Sequence, residues 1–303
     1  MSLRALYDVP APAKLNLFLH VVGRRADGYH LLQSVFVFID WCDTLHFELR
    51  HDGQLHRHDL GPALPEIDLA LRAARLLQQR SGTALGADIS VLKRVPWGAG
   101  LGGGSSDAAS VLLALNRLWG LRWSRAQLLE LAPLLGADVP FFVGGRNAFV
   151  EGIGEQLTPV HVPEQRFAIV KPPVELPTKD IFSSPLLAGT ETGATVALFP
   201  ADDASQTILQ PGFGRNDLQA AAEDRAPEVA QVAKWLRDRY GNSRMTGSGS
   251  AVFARIEKHG TIAVLPEATG LENDASALAS LPADWVSKLC CSLERHPLDG
   301  WSD

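Results

Sequence analysis

The chain is poor in sulfur. Among its 303 residues are 3 cysteines; Cys290 and Cys291 are adjacent, Cys42 is remote, and no CxxC spacing occurs. That leaves no basis for a disulfide framework or a structural zinc site. Long apolar runs are missing too, and none approaches the roughly 18 residues that a membrane-spanning helix needs. The opening stretch, MSLRALYDVPAPAK, carries no apolar segment of the signal-peptide kind. A cytoplasmic location and no membrane partner are therefore expected. Positive charge is in deficit, with 28 Lys and Arg against 34 Asp and Glu and a net charge of −6. No bulk field favours nucleic acid, so no nucleic-acid partner is expected. An anionic ligand would need a local positive site of lysine, backbone amides or metal. Aromatics are few, at 7%, beside 27 Gly and 19 Pro, which argues for a loop-bearing globular chain rather than a helical bundle.

Apolar residues make up 46% of the chain, enough for real cores, and its length suits about two domains of roughly 150 residues. Leu15, Leu17, Leu19 and Val21 alternate with Asn16, Phe18, His20 and Val22, and this period of two predicts a strand. Segments 34–39 and 45–49 predict two more, the last closing on a hairpin turn at His51-Asp52-Gly53. Segment 68–80 predicts an amphipathic helix stopped by Gly82. Alternation returns over 87–95, and 105–119 predicts a strongly apolar helix closed by Gly120. Ser124 with Gln127 reads as a capping box for a helix ending near Gly136, and 146–150 as another strand. Pro159, Pro163, Pro172, Pro173 and Pro177 then shift the composition, which places a domain boundary near residue 160. Beyond it, 227–240 predicts a helix and 251–256 a strand. The tail after Glu267 shows no readable period. Periodicity alone yields mixed α and β.

The most informative stretch is PWGAGLGGGSSDAA, from Pro96 to Ala109. Glycines without Cβ atoms let backbone approach a ligand and adopt positive φ. Successive amides can converge on an anion, and the following helix presents its positive end. Ser105 and Ser106 add hydroxyl donors. The chemistry implied is phosphate binding. Gly98, Gly100 and Gly103 satisfy GxGxxG, but that motif belongs after the first strand of a βαβ unit with an acidic residue about 20 positions on, and neither condition holds. No lysine follows the glycines, so this is no Walker A loop, and protein-kinase DFG and HRD signatures are absent. Asp107 is either a helix-dipole partner or a metal ligand.

This segment resembles the second motif of the GHMP kinases. PAPAKLNLFLHVVGRRADGYHLLQSVF, Pro10 to Phe36, is similar to the N-terminal motif of the diphosphocytidyl-methylerythritol kinases within that superfamily. LGADVPFFVGG, Leu135 to Gly145, resembles the segment carrying the catalytic aspartate, and SRMTGSGSAVFA, Ser243 to Ala254, the third, glycine-rich motif. The match runs from about residue 10 to 182 and returns at 243 to 254. Where galactokinases and mevalonate kinases carry Gly-Glu-His, this chain has Leu17-Phe18-Leu19-His20-Val21, and RADGYH, Arg25 to His30, resembles a cytidine-recognition segment.

The resemblance implies a two-domain α/β (α+β) GHMP fold. A β-rich nucleotide-binding domain would span 1–160 and an α+β substrate domain 161–303, with the active site in the cleft. It implies transfer of phosphate from ATP to the 2-hydroxyl of a cytidine diphosphate-linked methylerythritol, in isoprenoid precursor synthesis. Lys14 and Asp138, read on their own a strand-end lysine and a turn aspartate, become the catalytic pair. Pro140 is expected to keep Val139 out of the α region. Pro96, Trp97, Gly98, Ala99, Gly100, Leu101, Gly102, Gly103, Gly104, Ser105 and Ser106 would bind ATP. Lys93, Arg94 and Trp97 would border the adenine by analogy. Asn16 is expected at a substrate hydroxyl, Tyr29 and His30 at the cytosine as stacking ring and hydrogen-bonding imidazole, Phe182 as the opposite wall, and Thr178 at the diphosphate or a hydroxyl. Gly247 to Ser250 would form a second turn near the site. Mg²⁺ is inferred as the counter-charge to the phosphates, with no ligand set readable. The histidines at 46, 51, 56 and 58 fit no metal template. A monomer or weak homodimer is expected. Two other readings stay open: a GHMP kinase acting on homoserine, mevalonate or a sugar, or a non-catalytic nucleotide-binding module.

Overall fold

The computed structural model describes residues 3–66, 68–187, 214–256 and 271–302. Two long strands open it, β1 (Ala5–Arg24) and β2 (His30–Arg50), paired antiparallel with several register shifts. There follow β3 (Leu55–Asp59), α1 (Leu69–Ser81), β4 (Gly86–Leu92), α2 (Gly103–Leu118), α3 (Arg125–Leu131), α4 (Val139–Gly144), β5 (Ala148–Glu151) and β6 (Gln156–Pro159). The second half holds β7 (Arg166–Lys171), α5 (Thr178–Phe182), α6 (Gln219–Arg225), α7 (Pro227–Tyr240), β8 (Arg244–Met245), β9 (Val252–Ile256), α8 (Leu271–Ala279) and β10 (Val286–Leu293).

β2 organises the sheet. β1 lies along one edge, while β5, β10 and β4 succeed one another along the other, at 34–36, 38–39 and 44–50. β10 continues through β7 to β9 and β8, making one ten-stranded sheet among the described residues. The expected hairpin at 51–53 is not formed: β3 pairs parallel with β4, and β4 takes the place beside β2. Burial explains the order. Ala87, Ile89 and Val91 of β4 are buried, whereas β3 reads Leu-His-Arg-His-Asp and suits an edge. The unreadable tail supplies β10, which joins the two halves of the sheet. Its side chains are mostly half-exposed, so backbone pairing holds it and no apolar period advertises it.

Helix signals match their physics closely. Asp68 caps α1 by accepting from Leu71 N at 2.9 Å, and Gly82 closes it in the left-handed region. The Ser124–Gln127 capping box opens α3. α2 is buried almost all round, from Ser106 to Asn116, as its apolar sequence requires. One difference stands at Pro140: Val139 is helical, and Pro140 lies in the first turn of α4. A proline costs nothing there, because first-turn amides have no intrahelical acceptor.

Three apolar clusters result. One packs α1, α2 and α4 on the β1–β2–β4 face. Another packs α6 and α7 against β7 and β9. Between them a third draws on both sides of residue 160, with Leu15 and Val37 meeting Phe167 and Phe253.

Candidate active site

Two glycine-rich turns line one cavity of about 400 Å³. The first runs from Pro96 to Ser105, all of which line it, and the second contributes Gly247, Ser248 and Gly249. They interlock: Ser250 N donates to Gly98 O at 3.0 Å and Ala251 N to Ala99 O at 3.2 Å. Gly100 has φ +73°, and a Cβ on it would stand 2.1 Å from the carbonyl oxygen of Thr246. Gly102 caps α2 without any side-chain hydrogen bond, so the first amides of the helix are left for a ligand in the cavity. Ser105 lines the cavity, but Ser106 is buried beneath it. Its hydroxyl has no hydrogen-bond partner among the described residues.

Lys14 enters from β1, whose amide at that residue donates to Leu101 O at 3.0 Å and so docks the strand on the first turn. The side chain is buried, with its ammonium 3.6 Å from an oxygen of Asp138. It donates to Asn16 Oδ1 and sits 4.5 Å from the centre of the Phe36 ring. Asp138 precedes α4 but its carboxylate does not cap that helix, so the charge faces the cavity. Burial pushes the Lys14 pKa below its ordinary 10.5, and the Asp138 charge opposes that shift. Turnover that needs the ammonium should therefore decline with rising pH before 10.5 is reached. In the window between the lowered and the ordinary pKa the unfolded chain holds more protons, so this group's contribution to stability rises with pH. A pH profile of kcat with circular dichroism alongside checks both parts. Full turnover at and above pH 10.5 would contradict the first.

Asn16 lines the cavity, yet its side chain is largely engaged. Oδ1 accepts from Lys14 and, at 3.2 Å, from Thr246 Oγ1, while Nδ2 donates to Ser34 Oγ at 3.0 Å. Thr178 also lines the cavity, with its hydroxyl 2.9 Å from that of Ser248. Phe182, at the end of α5, lines it as well, and its ring lies 5.4 Å from that of His30, tilted by 30°. Neither Tyr29 nor His30 lines the cavity; His30 stands behind Phe182, and Tyr29 lies farther out. It is 60% exposed on the β1–β2 turn, beside the Arg25 guanidinium.

A buried charge cluster sits under the first turn. Lys93 donates to both Asp43 and Asp107, and Asp43 also accepts from the amides of Arg94 at 2.6 Å and Val95 at 2.8 Å. Burial works against the Lys93 charge, but Asp107 and Asp43 outweigh it and hold the pKa above its usual value. Burial pushes the Asp107 carboxyl up to about 8, with Lys93 opposing. One oxygen of Asp107 is engaged by Lys93, and the other has no hydrogen-bond partner among the described residues. Lys93 and Trp97 border the cavity, and Arg94 does not. The strand reading missed Asp43, Ser34 and Thr246. Asp43 left no distinct signal, since β2 also carries Asp40, Thr44, His46 and Glu48.

Among the described residues no group of three or more His, Cys, Asp or Glu could hold a metal, and no helix is long and apolar enough to cross a membrane. The cysteines are free thiols.

Residues 68–146 match the model of the GHMP kinase N-terminal domain, and 203–268 that of the GHMP kinase C-terminal domain. The chain is 60% identical to a 4-diphosphocytidyl-2-C-methyl-D-erythritol kinase of Methylibium petroleiphilum, with 100% of both chains covered. It is 53% identical to one of Verminephrobacter eiseniae, covering 99% of each. A crystal structure of a 4-(cytidine 5'-diphospho)-2C-methyl-D-erythritol kinase superposes with a TM-score of 0.72 at 34% identity, over 93% of this chain and 98% of that one. A homoserine kinase of Cytophaga hutchinsonii superposes at 0.66 over 97% and 95%, but at 16% identity it speaks to the fold alone. Interlocked glycine turns, a lysine–aspartate pair between them and identity above one half along the whole chain lead to one conclusion: the chain belongs to the 4-diphosphocytidyl-2-C-methyl-D-erythritol kinases of the GHMP superfamily.

Proposed function

We propose that the protein transfers the γ-phosphoryl group of ATP to the 2-hydroxyl of 4-diphosphocytidyl-2-C-methyl-D-erythritol, giving the 2-phosphate and ADP, in methylerythritol phosphate-dependent isoprenoid synthesis. The observation that carries this is the 3.6 Å approach of Lys14 and Asp138 between the two glycine turns. Amides of 98–104 and the start of α2 hold the phosphates. Asp138 accepts the proton of the substrate hydroxyl, and Lys14 neutralises charge on the group in transit. Phosphoryl transfer has a loose transition state, so a weakly basic carboxylate suffices. Asn16 and Thr178 face the substrate alcohol and diphosphate. Phe182 walls the cytosine, backed by the His30 ring, with Tyr29 on the adjoining turn.

Mg²⁺ fits this reading. It binds through substrate phosphates, waters and one or two protein oxygens rather than a protein cage; the Ser105 hydroxyl, on the cavity wall, would supply such an oxygen, while Ser106 is buried beneath it. When bound it neutralises phosphate charge.

The division at residue 160, into a nucleotide half and a substrate half, belongs to the same proposal. So do a cytoplasmic setting and a monomer or weak homodimer. A substrate panel at fixed ATP tests the specificity. The cytidylyl alcohol should be phosphorylated in preference to mevalonate, homoserine or a sugar. Preference for one of those would transfer the chain to another branch, and no turnover with any would favour a non-catalytic module.

A further inference from the structure

We propose that Thr246 and Ser34 are positioning residues for Lys14, acting through the side-chain amide of Asn16. The inference rests on the reading of Lys14 given above and extends it.

An ammonium group can only donate hydrogen bonds, and Asn carries an acceptor at one end of its amide and a donor at the other. Which end faces Lys14 decides whether the lysine meets an acceptor or a repelling N–H. Both ends are constrained. The Ser34 hydroxyl gives its proton to Phe18 O, so it presents a lone pair to Asn16 Nδ2 at 3.0 Å. Thr246 Oγ1 accepts from Asn16 N at 3.0 Å and donates to Asn16 Oδ1 at 3.2 Å. Gly100 O competes for that proton from farther away, at 3.4 Å. With these partners in place, only the oxygen can face the lysine.

The relative exposures of Lys14, Asn16, Ser34 and Thr246 are 3%, 1%, 1% and 0%, so bulk water cannot stand in for a lost partner. Thr246 is 230 residues from Asn16 and belongs to the turn that interlocks with the first glycine loop. The C-terminal half of the chain therefore completes the orientation of a lysine on the first strand. Asp138 is the charged group facing that lysine, and the other neighbours, Asn16, Phe36 and Gly102, are neutral.

The test compares Thr246→Val, Thr246→Ser, Ser34→Ala and Lys14→Met by steady-state kinetics across pH, ATP affinity and thermal unfolding. Thr246→Val keeps the shape and removes the hydroxyl. It should lower kcat about tenfold, leave ATP affinity within about twofold, and move the alkaline decline of kcat to lower pH. Thr246→Ser should restore both. Ser34→Ala should act in the same direction and carries the test if Thr246→Val does not fold. Parental kcat and an unmoved alkaline limb in Thr246→Val would overturn the proposal. Equal losses in the Val and Ser variants would assign the effect to packing and overturn it as well. Lys14→Met separates the two levels: retained turnover there rejects the site reading itself, whereas its loss beside a parental Thr246→Val rejects only the relay.

Discussion

Asp138→Asn should lower turnover by about 10²- to 10⁴-fold, about 3–5 kcal/mol of transition-state stabilisation, while ATP affinity stays within about twofold of the parent. The asymmetry follows from position. The Asp138 side chain makes no capping hydrogen bond to α4, so the amide breaks no helix terminus. The amides proposed to hold phosphate belong to a separate turn, from Gly98 to Gly104, held by its own contacts with 250–251. What the substitution removes is the proposed proton acceptor and the charge 3.6 Å from Lys14. The lysine keeps Asn16 as a partner and so remains in the site. Calorimetric ATP binding beside initial rates separates the two quantities. Unchanged turnover would remove Asp138 from the reaction, and a parallel loss of ATP affinity would make it part of the nucleotide cradle instead.

Gly100→Ala should destabilise the fold by about 2–5 kcal/mol and impair ATP binding with it. Two costs combine. An L-residue in the left-handed region costs about 1–2 kcal/mol, and Gly100 has φ +73°. The new methyl would also lie 2.1 Å from Thr246 O, a backbone atom that moves only if the second turn moves. Overpacking of that kind adds about 1–3 kcal/mol. Gly82→Ala is the control: φ is +67° there, but nothing lies within 4 Å of the added Cβ. Denaturant unfolding of the two variants isolates the steric part. Equal destabilisation of both would show that the turns separate easily, and a parental ATP affinity in Gly100→Ala would detach the interlock from nucleotide binding.

Both variants probe features of different legibility. Gly100 was visible as one of a run of glycines before an apolar helix, because that composition has few uses other than backbone approach to an anion. Its partner, Thr246, was not. A threonine before a glycine turn is ordinary until the turn is seen to close on a loop far away in sequence. Asp138 and Lys14 carried their roles only through resemblance, since a single lysine and a single aspartate have bland alternatives. Tyr29 and His30 illustrate the limit of adjacency: neighbours in the chain, they part at a turn, and His30 meets Phe182 while Tyr29 stays exposed.

Local features followed from the amino-acid order alone. The caps of α1 and α3 and the burial of α2 depend on contacts within a few residues, where backbone geometry and side-chain chemistry leave little choice. Tertiary structure decided the rest. It chose β4 over β3 as the partner of β2, placed the unpatterned β10 at the centre of the sheet, and brought residues 14, 138 and 246 together. Those outcomes come from competition among distant segments for the same edges and the same buried volume, and no local period records which segment wins.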